Sequence, residues 1–243
     1  FDRAALYGDT AGDYADNAWR FGLLGRAALE MLRVDGRPLD VLHLHDWQAG
    51  PAAIFRTMRY ADDQVLGGAA IVATLHNLAY HGWTTNGALG QLGLRPGDGA
   101  PGQNRDGVDL LAAAIEAADL VNTVSPGFAA EALTPAFGMG LDGLLRSRGD
   151  RFVGILNGLD YDVWNPEIDR FIPSHYNVWN VEGKYGNKDA LRDRLWLRKE
   201  YKPIVAYVGR LDAQKGVHLI QHAMFYALER GADSAEGVDL PYF

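Results

Sequence analysis

Five times in this chain a short, β-branched, apolar run ends in a polar or charged residue, and a helix-like pattern follows. Residues 39–44 run into His45-Asp46-Trp47, and 70–75 into His76-Asn77. Residues 120–124 meet Ser125-Pro126, 152–156 meet Asn157-Gly158, and 204–208 meet Gly209-Arg210 with Lys215 close behind. Runs of this length, bounded by turn residues and separated by helical stretches, read as buried parallel strands. The fold class is therefore α/β. In open α/β sheets ligands bind outside the carboxyl ends of the strands, so the polar strand ends are the first candidates for chemistry.

The rest of the composition narrows the partners. A formal net charge of −8 over 243 residues argues against a nucleic-acid-binding surface while leaving room for a local cationic pocket. With no cysteine, disulfides, thiolate chemistry and Cys-ligated metals are excluded. No apolar stretch reaches the roughly 18 residues of a membrane span, and no signal peptide is visible. The expected location is the cytoplasm, or a plastid if the source is a plant. The chain starts at Phe1 and ends at Leu240-Pro241-Tyr242-Phe243, and it reads as a segment of a longer protein.

Asp16 or Asn17 starts a helix whose apolar positions Phe21, Leu24, Ala28, Met31 and Leu32 recur at helical spacing. A second helix is expected over 49–60, a long Gly-rich loop over 80–104 and a helix over 108–118. Ser125 with Pro126 opens another helix. From Asn157 to about Lys202 the rhythm breaks, and Tyr161, Trp164, Tyr176, Trp179 and Tyr185 crowd the stretch. Hinge packing is the expected role of these rings, with carbohydrate stacking as the alternative. A short charged helix over 187–197 follows. Strand, turn and helix then resume at Pro203, the helix running from Gly216 to about Arg230 with Val217, Ile220, Met224 and Leu228 on one face. A domain hinge is placed near residue 158.

Among the candidate site residues, His43-x-His45-Asp46 is read with its two histidines on opposite strand faces, so that one imidazole joins Asp46. Asp46 then faces substrate, with a metal site or a purely structural His43, under a helix on a backbone hydrogen bond, as alternatives. His76-Asn77 holds the matching position on the next strand, and His81 in the loop beyond is the weaker candidate. Asn157-Gly158 is a turn or a ligand contact. The sharpest element is Gly209-Arg-Leu-Asp-Ala-Gln-Lys-Gly216, with a guanidinium and an ammonium around a strand-to-helix turn. Arg supplies a rigid fork for phosphate oxygens, Lys a point charge, and the helix start free N–H groups. An anion pocket is the expected reading against a solvated turn. It is not a Walker loop, whose spacing is absent.

These elements come in a familiar order. Tyr14-Ala-Asp-Asn17, His43-Leu-His-Asp-Trp-Gln-Ala-Gly50, Thr74-Leu-His-Asn-Leu-Ala-Tyr80 and Thr123-Val-Ser-Pro126 are followed by Gly138-Met-Gly-Leu-Asp-Gly-Leu-Leu145, Ile155-Leu-Asn-Gly-Leu-Asp160, Trp164-Asn-Pro166 and the Gly209–Gly216 motif. With them the chain resembles bacterial glycogen synthases and plant starch synthases, retaining glucosyltransferases of the GT-B fold. The resemblance implies two Rossmann-like domains facing each other across a cleft, both incomplete here. Residues 1–158 would be the later part of the acceptor-side domain, 159–202 the linker, and 203–243 the start of the nucleotide-sugar domain.

By position the resemblance makes Arg210 and Lys215 the diphosphate-binding pair, His76 the active-site histidine beside the transferred glucose, and Asp46 the sugar-site aspartate. Tyr7 and Asn157 would line the cleft, and Asn77 stands with His76 as a substrate contact. The implied reaction moves glucose from ADP-glucose, ahead of UDP-glucose, to the non-reducing end of an α-1,4-glucan, with no metal and no cofactor. A sucrose-synthase-like transferase and a non-catalytic glucan-binding remnant are the alternatives. The family's Lys-x-Gly-Gly-Leu loop would precede Phe1 and its acidic motif would follow Phe243, so the segment alone is expected to be inactive. After Gly231 the family continues as a strand, where this chain reads Ala-Asp-Ser-Ala-Glu-Gly.

Overall fold

The computed structural model describes residues 3, 5–10, 12–91, 93–94, 99–104, 106–200, 202–211, 213–230 and 233–235, with the backbone alone at 89, 213 and 233–235. Asp212 and most of the 232–243 tail lie outside the described residues. The chain divides into two compact units, Phe1–Gly158 and Leu159–Phe243.

In the first unit a small antiparallel ribbon, β1 (Gly8–Asp9) with β2 (Gly12–Asp13), precedes helix α1 (Asn17–Asp35). Strands β3 (Val41–His45), β4 (Ala70–Leu75), β5 (Leu120–Thr123) and β6 (Phe152–Gly154) then form one parallel sheet in that order. Helix α2 (Asp46–Met58) joins β3 to β4, and α3 (Asn86–Gly90) and α4 (Leu110–Ala117) join β4 to β5. Helices α5 (Pro126–Ala132) and α6 (Asp142–Ser147) lead to β6. Because all four strands are parallel, their carboxyl ends lie along one edge. The expected runs are present but shifted or trimmed: the first ends at His45, and the fourth stops at Gly154, leaving Ile155 and Leu156 exposed.

The register explains the core. Leu44 pairs with Ala73, both buried, and Ile71 and Leu75 are buried on the same face of β4. Ile54 and Phe55 of α2 and Leu110, Leu111 and Ile115 of α4 belong to the same buried cluster. Where α2 meets α4, a Cβ built on Gly50 would lie 2.0 Å from the Leu110 carbonyl oxygen, so only glycine permits this approach. The expected elements need three corrections. Helix α1 buries Phe21, Gly22, Gly25 and Leu29, whereas Leu24 and Met31 are exposed. Helix α2 starts at Asp46, three residues before its expected start, and the long 80–104 loop contains α3.

A polar clasp ties α1 to the turn after α2. Tyr60 Oη donates to Glu30 at 2.5 Å, and Arg33 bridges Glu30 and Asp63 at 2.7 and 2.6 Å. The Tyr60 hydroxyl foremost, and then Arg33, hold the Glu30 carboxyl below its ordinary range. A depressed native pKa stabilises the fold above the unfolded value, and that stabilisation is lost as pH falls through the native one. Thermal unfolding between about pH 5 and pH 3 should show this acid loss, and Tyr60→Phe should shallow it. An unchanged acid slope in the variant would contradict this assignment.

In the second unit β7 (Ile204–Ala206) pairs in parallel with β8 (Asp233–Ala235), joined by α8 (Val217–Glu229), while α7 (Lys184–Arg194) precedes them. The polar composition after Gly231 does not prevent the strand, since a parallel pair is held by backbone hydrogen bonds. Val217, Ile220 and Met224 of α8 are half-buried, and no residue of this helix is fully buried. In the aromatic stretch Trp164 and Trp179 are 71% and 92% exposed.

Candidate functional site at the carboxyl edge of the parallel sheet

The first strand end is built by an unusual backbone. Asp46 takes φ +53° between the extended His45 and the first turn of α2, a left-handed conformation that Asp tolerates better than most residues. The turn brings its carboxylate to the end of the neighbouring strand, where Oδ1 accepts the backbone N–H of His76 at 2.6 Å and, more weakly, that of Asn77 at 3.4 Å. Asp46 thus clasps the tip of β4 to the tip of β3. Strained residues persist where their surroundings over-determine them, and here a charge-assisted hydrogen bond supplies that determination. Asn77 in turn accepts the Ala79 N–H at 2.9 Å and shapes the exit from the strand.

His43, His45 and His76 form a row. His45 Nδ1 and His76 Nε2 share a hydrogen bond at 2.9 Å, and these rings stack with centroids 5.3 Å apart. His43 lies 4.4 Å from His45, ring to ring, and its Nε2 shares a hydrogen bond with Thr74 Oγ1 at 2.7 Å. This corrects the sequence reading of opposite faces, because strand residues i and i+2 share a face. It also speaks against the alternative that put His43 under a helix on a backbone hydrogen bond, since His43 is exposed and bonds a side chain. His45 keeps contact with solvent, yet burial foremost, and then His43 and His76, push its imidazole below the ordinary range against the pull of Asp46. Among the described residues no group of three or more His, Cys, Asp or Glu is placed to hold a metal ion.

Tyr7 is carried to the same end of α2. Its carbonyl accepts from Asn17 Nδ2 at 2.7 Å and from the Tyr14 N–H at 2.9 Å. Its ring stands 6.1 Å from Phe21 and 6.5 Å from Trp47, the residue after Asp46. The loop beyond Asn77 crosses Trp47 at Gly82, where a Cβ would fall 2.2 Å from the indole. His81 is held as a structural partner, sharing a 2.5 Å hydrogen bond with the buried Asp109, whose other oxygen caps α4 by accepting from Ala112 N–H. Sequence reasoning missed Asp109, although an Asp before an apolar helical run is an ordinary N-cap signal. Ser125 caps α5 through Phe128 N–H, and Asn157 is exposed three residues beyond β6.

In the second unit Arg210 and Lys215 are both exposed and make no ion pair among the described residues. Lys215 closes a 3-10 turn, Gly216 follows at φ +70°, and α8 begins with no side-chain cap and no acidic residue in its first turn. A hollow in this unit, lined by Tyr185, Lys188, Asp189, Arg192, Lys199 and Glu200, contains none of the expected site residues.

The Asp46 clasp makes a prediction independent of any activity. Asp46→Ala should speed hydrogen exchange at the His76 amide by about 10-fold or more, the effect of losing a hydrogen bond to a charged acceptor. Asp46→Asn keeps an acceptor oxygen and should speed it less. Equal exchange in wild type and Asp46→Ala would contradict the clasp.

The family described as the starch synthase catalytic domain matches residues 1–147. The structure is similar to the catalytic domain of starch synthase IV from Arabidopsis thaliana bound to ADP and acarbose, with a TM-score of 0.83 and 38% identity over 96% of this chain and 48% of that one. The fold is therefore α/β of the GT-B type. The sequence is 41% identical over 240 residues to glycogen synthase 2 of Methylococcus capsulatus, covering 95% of this chain and 48% of the relative. It is 39% identical over 241 residues to glycogen synthase 1 of a Synechococcus strain, covering 96% and 48%. The chain belongs to the glycogen and starch synthase family, and it spans about half the length of the curated relatives it matches.

Proposed function

We propose that the full-length protein transfers glucose from a nucleoside diphosphate glucose to the 4-hydroxyl at the non-reducing end of an α-1,4-glucan, with retention, in glycogen or starch synthesis. The observation that carries this reading is the Asp46–His76–Asn77 clasp, built from two motifs of that family at the sheet edge where α/β folds bind ligands. ADP-glucose is the preferred donor, a choice supported by the ADP in the Arabidopsis relative. On this reading residues 1–158 serve the acceptor side, 159–202 the linker, and 203–243 the donor side. The cytoplasm is the proposed location.

The chemical difficulty is departure of a nucleoside diphosphate from an anomeric carbon through an oxocarbenium-like state. We assign charge neutralisation on that leaving group to Arg210 and Lys215, aided by the uncapped start of α8. Asp46 and His76 orient glucose and acceptor, where alignment supplies much of the rate. Asn77, Tyr7 and Asn157 complete the sugar contacts. Labelled ADP-glucose and UDP-glucose offered in parallel with glycogen test the reading. Label should enter glycogen, faster from ADP-glucose. Glycogen binding without incorporation from either donor would overturn it in favour of a glucan-binding protein.

A further inference from the structure

We propose that His45 is a positioning residue for His76, fixing the tautomer and ring orientation of that imidazole through the Nδ1···Nε2 hydrogen bond. The role for His76 rests on the function proposed above; the coupling rests on geometry alone. Two neutral imidazoles joined through one nitrogen each must divide the roles of donor and acceptor. Whichever nitrogen carries the shared proton, the choice is transmitted across the His76 ring. If His76 Nε2 donates, its Nδ1 presents a lone pair; if Nε2 accepts, Nδ1 presents an N–H. The tautomer of His45 therefore sets whether His76 offers a sugar hydroxyl an acceptor or a donor.

Three observations support the assignment. The 2.9 Å contact comes with near-parallel rings, 21° between planes, so His76 is held in orientation as well as in distance. The backbone beneath each ring is fixed independently, since Asp46 Oδ1 takes the His76 N–H while His45 pairs with Thr74 in the β3–β4 register. His43 packs 4.4 Å from His45, ring to ring, and is itself anchored to Thr74. The groups acting on His45 are His43 and Asp46 from its own strand and helix start, and His76 from the end of β4. Burial, then His43 and His76, acting against Asp46, lower the His45 imidazole below its ordinary range and so favour the neutral ring that a shared proton requires. Protonating both members would set two N–H groups against each other and break the contact.

Long-range 1H–15N correlation of the imidazole nitrogens in this chain tests the coupling directly. In the wild type His76 should show one dominant tautomer, and His45 should titrate below the ordinary value of about 6.5. His45→Ala should return His76 to mixed tautomers. His45→Asn, whose amide stands where Nδ1 stood, should retain the dominant tautomer. Should His45→Ala fail to fold, His76→Ala gives the reciprocal reading, an upward shift of the His45 titration. An unchanged His76 tautomer in His45→Ala, or an unshifted His45 in His76→Ala, would overturn the proposal. In the full-length protein His45→Ala should lower kcat roughly 10- to 100-fold, as misalignment does, with donor KM nearly constant and with recovery in His45→Asn. Coupling seen by NMR while His76→Ala transfers glucose normally would instead sink the functional reading.

Discussion

Lys215→Ala in the full-length protein is expected to lower kcat by on the order of 10²–10³-fold, the usual cost of removing one preorganised charge-stabilising group. Donor KM should move far less. Charge on a departing diphosphate grows toward the transition state, so a cation placed for it contributes more there than in the ground state. Arg210→Lys should also be damaging, because an ammonium cannot reproduce the two-pronged grip of a guanidinium on phosphate oxygens. The location supports this: two exposed cations flank a strand-to-helix turn in a chain of net charge −8, before a helix whose first turn has no cap and no acidic residue. Glycogen affinity should barely change, since the acceptor is assigned to residues 1–158. Steady-state kinetics with ADP-glucose decide the matter, and near-wild-type kcat/KM in both variants would reduce the pair to ordinary surface charges.

The second large effect concerns stability. Gly50→Val should cost at least about 3 kcal/mol, the upper range for overpacking a core. The reason is the partner: the added atoms would meet the Leu110 carbonyl carbon at 2.7 Å and its oxygen at 2.0 Å. Backbone cannot swing aside as a side chain can, so α2 and α4 must separate. Against a total stability of roughly 5–15 kcal/mol, the loss is a large fraction, and the urea midpoint should fall by about 1 M or more. Gly143→Ala in the exposed face of α6 is the control. Its nearest neighbour would be the end of the Arg146 side chain at 3.8 Å, an ordinary contact, so replacing glycine inside that helix should be neutral or mildly stabilising. A Gly50→Val midpoint matching that of Gly143→Ala would contradict the close approach.

The residues that announced themselves in the sequence are those whose signal is local. Ser125-Pro126 starts α5 with its cap in place, and the apolar runs ahead of His45 and His76 are parallel neighbours. What stayed hidden depends on distant chain. Gly50 sits in a recognisable motif, but its steric reason is Leu110, which no spacing rule reaches. The contact of Asp46 with the His76 backbone spans thirty residues. The face of α1 was misjudged for a different reason. Counting bulky apolar residues points to Leu24 and Met31, whereas the helix is packed through the small Gly22 and Gly25 beside Phe21 and Leu29. Small residues let helices approach closely but add little to a hydrophobic stripe. The error over His43 and His45 was one of period, since two residues along a strand return to the same face.

The most direct test of the central claim is transfer of labelled glucose from ADP-glucose into glycogen by the full-length protein, with the new linkage analysed for position and anomeric configuration. The account predicts α-1,4-linked label at non-reducing ends, abolished or reduced at least about 100-fold by Lys215→Ala. Absence of incorporation from both ADP-glucose and UDP-glucose, or transfer that survives Lys215→Ala undiminished, would contradict it.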